Sequence, residues 1–100
     1  MTALNVLAKA RALLVKRGWV QGLAIDEMGR LCTVGACKIA AGGGANDVRW
    51  PVAAAAAAAV LERSLDLDEE VSEWNDRTER TLDEVLAAFD RAIASLEAAK

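Results

Sequence analysis

All seven glycines and both cysteines of this 100-residue chain lie within residues 18–44. That stretch, GWVQGLAIDEMGRLCTVGACKIAAGGG, constrains the fold most, because helical patterns stand on both sides and only here do they break. Trp19, Val20, Leu23 and Ile25 suit a strand better than a helix, and Asp26-Glu27-Met28-Gly29 reads as a turn. The pattern predicts a short two-stranded hairpin over residues 19–26 and 30–33, with Gly22 as a bulge or kink. An isolated hairpin is marginal in water, so helices must cover it.

Thr33 then reads as the N-cap of a second helix over residues 34–41. With that cap, Cys32 and Cys37 occupy the two positions of a hydrophobic staple. Gly42-Gly43-Gly44 ends the helix and opens a loop to Asp47.

The flanking segments are simpler. Residues 3–16 form an amphipathic helix with Thr2 as N-cap. Leu4, Leu7, Ala8, Leu14 and Val15 face inward, Lys9, Lys16 and Arg17 outward, and Gly18 stops the helix in a left-handed conformation. Pro51 suits the first position of a third helix over residues 52–64. Its seven alanines, residues 53–59, let neighbours approach on every side and so predict a central place. A short fourth helix covers residues 69–74, with Val71 and Trp74 inward. Thr81 and Glu84 make a capping box that starts the last helix, residues 82–98, whose apolar face is Leu82, Val85, Leu86, Phe89, Ile93 and Leu96. Alanine dominates the apolar fraction, so Trp19, Trp50, Trp74 and Phe89 are expected to anchor the core. The expected fold is one α+β domain over residues 1–100, mostly helical, with four or five helices around a small β-hairpin.

The net charge of −3 divides into +4 for residues 1–49 and −7 for residues 50–100. The acidic half speaks against a nucleic-acid binder, which needs a basic face to displace counterions. Opposed halves also suit internal pairing or head-to-tail association. No apolar run is long enough to span a bilayer, and charges interrupt the N-terminal pattern as they do not in a signal peptide. The cytoplasm, with reduced thiols, is the expected setting.

Little of the chain reads as catalytic. Cys32, just ahead of a helix, stands where thiols become acidic and nucleophilic. Cysteine hydrolases need a base, most often histidine, and the chain has none. Two cysteines five residues apart are not the redox C-x-x-C motif, and two thiolates without histidine make a poor zinc site. The carboxylate pairs Asp26/Glu27, Asp66/Asp68, Glu69/Glu70 and Asp83/Glu84 fall in turns or first helical turns, where acids suit the helix dipole. Gly42-Gly43-Gly44 lacks the Lys-Ser/Thr of a phosphate loop. No catalytic residue, metal or cofactor is expected. Trp74-Asn75-Asp76 is the most distinctive tripeptide. It reads as an anchor followed by a turn lock or, with Asp76 and Arg77 facing outward, as a recognition corner.

Several strings recur here in a recognisable order: Ala10-Arg11-Ala12-Leu13-Leu14, Gly18-Trp19-Val20-Gln21-Gly22, Asp26 with Gly29-Arg30, Cys32-Thr33-Val34-Gly35-Ala36, Trp74-Asn75-Asp76, and Thr81 with Glu84-Val85-Leu86. Together the chain resembles an uncharacterised family of small proteins of actinobacteria and their bacteriophages. It departs from that family at the alanine run, where a more mixed helix is expected. The resemblance implies an origin in a phage or its host and carries no activity.

The expected function is therefore a non-enzymatic protein-interaction module, phage-encoded and acting on a host protein in the host cytoplasm. Trp19, Cys32, Trp74, Asn75, Asp76 and Arg77 are its candidate contact residues. The alternatives are a thiol-dependent or small-ligand-binding protein using Cys32, and a structural homo-oligomer whose dimer uses a helical face.

Overall fold

The computed structural model describes residues 1–99. Among these the chain forms five helices, α1 (Ala3–Arg17), α2 (Thr33–Ala40), α3 (Val52–Ser64), α4 (Val71–Asn75) and α5 (Leu82–Ala98). No strand or sheet forms among the described residues, so the fold is all-α and the expected β-hairpin is absent.

The physical reason lies in how Leu31 is bracketed. Its N–H donates to the Gly18 carbonyl at 3.0 Å, and its carbonyl accepts from the Val20 N–H at 3.1 Å. Beyond this the chain turns, because Gly22 takes φ +81°, a kink that L-residues rarely adopt. Ladder-like bonds resume only at Asp26 N–H to Arg30 O, 3.0 Å, and Cys32 N–H to Ala24 O, 3.1 Å. Leu31 thus makes two isolated bridges, parallel to Trp19 and antiparallel to Ile25, and no continuous ladder. The turn itself forms as read, with the Gly29 N–H on the Asp26 carbonyl.

α2 is the innermost element. Seven of its eight residues, all but Ile39, are buried. It packs on α1, α3 and α4. Small side chains permit this closeness: a Cβ at Gly35 would run into the Ala24 carbonyl oxygen. α3 does touch each of the other helices, but it keeps an outer face. Ala54, Ala57 and Ala58 point inward while Ala55 and Ala56 are exposed.

On α1 the buried face is Val6, Leu7, Ala10 and Leu14, and Ala8 and Val15 are exposed. The expected face was rotated, because adjacent apolar residues at 6–8 and 13–15 leave two stripes nearly equal in hydropathy. Thr2 caps α1, accepting from the Asn5 N–H, and the capping box of Thr81 and Glu84 opens α5. Gly18 ends α1 at φ +96°, ψ 169°, an extended glycine-type conformation rather than the left-handed helical one.

The apolar face of α5 turns inward, with Val85, Ala88, Phe89 and Ala92 buried and Leu82, Leu86, Ile93 and Leu96 partly covered. Phe89 and Trp74 are core anchors, Trp19 is half-buried, and Trp50 stands at the surface. Among the described residues one ion pair joins the basic and acidic halves, the two-pronged Arg11–Asp90 contact between α1 and α5 at 2.7 and 3.1 Å. No helix among them is long and apolar enough to cross a membrane.

Candidate functional site

Asn75 ends α4 and is fully buried. Its carboxamide joins segments far apart in the chain. Oδ1 accepts from the Trp19 indole Nε1 at 2.8 Å, from the Thr33 N–H at 3.0 Å and from the Thr33 hydroxyl at 2.6 Å. Nδ2 donates to the Val20 carbonyl at 3.3 Å and to Asp76 Oδ1 at 2.9 Å. The Asn75 main-chain carbonyl accepts from Gln21 Nε2, which also donates to the Arg77 carbonyl. Asp76 Oδ1 accepts from the Gly22 N–H at 3.0 Å. No buried side-chain nitrogen or oxygen among the described residues lacks a partner. Of the singled-out residues, Trp19, Asn75 and Asp76 therefore meet at one corner, and Cys32 adjoins it, next to Thr33 in the chain and lining a cleft with Asp76.

The other two point elsewhere. Trp74 enters the core and carries the Arg80 guanidinium over its ring, 4.3 Å from the centroid. Arg77 turns to Glu69 at 2.9 Å, and the guanidinium's pKa rises through that hydrogen bond and charge. Gln21 and Thr33 complete the corner although neither was singled out. Both sit inside the recurring strings, yet no local spacing shows that they meet residue 75.

Cys32 proves to be the N-cap of α2, with Thr33 already helical. Its sulfur accepts from the Gly35 N–H at 3.2 Å. The staple is thus replaced by a cap. The helix starts one residue before the expected cap, and the Thr33 N–H and hydroxyl both donate to the Asn75 carboxamide. Both cysteines are free and buried. Burial pushes the Cys32 thiol up, and the Asp76 charge adds to this, against bonds from the Gly35 and Val34 N–H groups and the Lys38 charge. Cys37 is pushed up to about 12 by burial, with Cys32 contributing. Neither is the acidic, reactive thiol that nucleophilic chemistry uses.

A cleft of about 190 Å³ opens beside Cys32, lined by Gly22, Leu23, Ala24, Cys32, Val34, Ser72 and Asp76. A different surface lies past the C-terminal end of α2. There Val48 is 97% exposed, Val52 88% and Trp50 37%. The segment is nonetheless held. The buried Lys38 ammonium donates to the Asp47 carbonyl at 2.8 Å and lies 4.8 Å from the Trp50 ring centroid. Asp47 Oδ2 in turn accepts from the Gly44 N–H at 2.7 Å. Reading Trp50 as a core anchor hid this surface. The local signal was Val48-Arg49-Trp50-Pro51-Val52 itself, an apolar alternation with no partner strand or helical period.

Neither the curated proteins nor the solved structures yield a match to this chain. A family model does match, over residues 1–95, nearly the whole length. The chain belongs to a family of unknown function, DUF6197.

Proposed function

We propose that the protein is a non-enzymatic protein-interaction module. The observation that carries this reading is the held, outward apolar segment of Val48, Trp50 and Val52. Exposed apolar side chains close together in the chain, on a segment that Lys38 pins at Asp47 and Trp50, are what a docking surface presents, and Trp is among the residues that most often anchor one. The burial of Cys32 supports the same reading, since it pushes the thiol up and outweighs the N–H bonds of the helix start that favour a thiolate. In the setting that the sequence resemblance implies, a phage protein in an actinobacterial cytoplasm, the partner is a host protein.

The test is affinity capture from an actinobacterial lysate with the parent chain and with Trp50→Ala, both checked for equal melting. A specific host protein retained by the parent and lost by Trp50→Ala supports the reading. Equal retention by both, or none by either, overturns it. Light scattering on the purified protein addresses the homo-oligomer: a dimer that persists without host protein and ignores Trp50→Ala favours that alternative. A thiol-dependent function has the cleft beside Cys32 in its favour. Rapid alkylation of Cys32 at neutral pH would support it, and protection of that thiol in the folded chain removes it.

A further inference from the structure

The cleft beside Cys32 has a definite chemical character. Its volume of about 190 Å³ is below the roughly 300–1,000 Å³ of sites that enclose a small-molecule ligand, and suits one side chain. Leu23, Ala24 and Val34 supply apolar lining, and Leu23 is 57% exposed. The start of α2 adjoins it, and a helix start ordinarily attracts an anion. Here the Thr33 N–H is taken by Asn75 and the Gly35 N–H by the Cys32 sulfur, so those donors are unavailable to a ligand.

Asp76 sets the remaining charge. Its Oδ1 receives the Gly22 N–H and Asn75 Nδ2. Among the described residues its Oδ2 accepts no hydrogen bond and pairs with no cation. The adjacent Arg77 is committed to Glu69. Ser72 lines the same cleft, and among the described residues its hydroxyl donates no hydrogen bond. The cleft thus combines apolar walls with a carboxylate that has a fixed position and no counter-cation.

We propose that this cleft receives a lysine or arginine side chain of a partner protein. The aliphatic stem lies on Leu23, Ala24 and Val34, and the cationic head meets Asp76 Oδ2. The proposal rests on the interaction-module reading and adds a specificity contact to it, separate from Trp50.

The experiment is a nitrogen-15 NMR titration of the full chain. The probes are Nα-acetyl-lysine methylamide and its uncharged analogue Nα-acetyl-norleucine methylamide. The lysine probe is expected to shift the Gly22, Ala24 and Gly35 amide signals saturably. It should bind about fivefold tighter than norleucine at low salt, the upper range for an exposed ion pair. Asp76→Asn keeps an oxygen to accept the Gly22 and Asn75 bonds while removing the charge, and should abolish that advantage. Salt at about 0.5 M should abolish it in the parent chain, which tests the charge even where the variant fails to fold. Equal binding of both probes, an advantage that survives salt or Asp76→Asn, or shifts absent from these amides overturns the proposal. Lost capture by Trp50→Ala alongside a failed titration removes the cleft contact and leaves the module reading standing.

Discussion

The corner around Asn75, at the end of α4, and the segment of residues 42–52, which runs into the start of α3, both lie beside α2, yet they are built in opposite ways. The corner is held over long range: Asn75 bonds to Thr33 and Trp19, 42 and 56 residues away. The loop is held locally, by Asp47 on Gly44 and Lys38 on Asp47. In the corner each buried polar group has a partner. In the loop only Ala45 is buried, and two valines and a tryptophan face outward. The contrast shows that the most distinctive strings of a sequence can serve architecture, while the exposed apolar side chains of Val48, Trp50 and Val52 lie outside them.

The sharpest way to break this comparison is Asn75→Leu. It leaves the Trp19 indole, the Thr33 N–H and the Val20 carbonyl without their partner, and buried groups so stranded cost about 1–3 kcal/mol each. A loss of about 4 kcal/mol or more is expected in chemical denaturation, enough to unfold a marginal domain. A midpoint unchanged by the substitution would show that the corner is not what ties the chain together.

Gly35→Ala should cost about 3 kcal/mol, since the new methyl meets backbone rather than a movable side chain. Hydrogen exchange sharpens the point: protection should fall at Cys32, whose N–H bonds to Ala24, and stay unchanged at Gly44 in the loop. Equal loss in both places would mean that the two regions open together.

The thiols predict an alkaline weakness. Cys37 titrates near 12 when folded and near 9.0 when not. Below pH 9 both states hold the proton, and stability is unaffected. Between these values the unfolded chain releases it and the folded chain does not, so stability falls by about 1.4 kcal/mol per pH unit. Denaturation midpoints should hold from pH 8 to about 9 and decline above it, and Cys37→Ala should make the decline shallower, leaving the share of the Cys32 thiol that burial also pushes up. A flat profile in the parent chain would contradict the burial of Cys37.

Replacing each cysteine by serine separates cap from core. Cys37→Ser buries a hydroxyl and should cost about 1.5 kcal/mol. Cys32→Ser installs a preferred N-cap and should be neutral to within about 0.5 kcal/mol. Equal costs would return Cys32 to the staple. A small effect is also expected in the loop: Trp50→Ala loses a cation–π contact at an exposed ring and should lower stability by less than about 1 kcal/mol. A larger drop in melting would make Trp50 a structural residue.

What residue order determined by itself was local. The Thr2 cap, the Thr81/Glu84 capping box, the extents of α3 and α5, the turn after Asp26 and the burial of Phe89 and Trp74 all follow from neighbours within a turn or two, where a few side chains decide the free energy. Tertiary structure decided the rest. The chosen face of α1, the central place of α2, the isolated bridges in place of a hairpin and the role of Cys32 each depend on residues far along the chain, and Trp50 stands at the surface in a loop that Lys38 and Asp47 hold. The Asn75 carboxamide is the clearest case. Its strand-like neighbours had equal claim to pair with one another, and it was the buried amide, able to bond both Trp19 and the start of α2, that drew them into a corner instead.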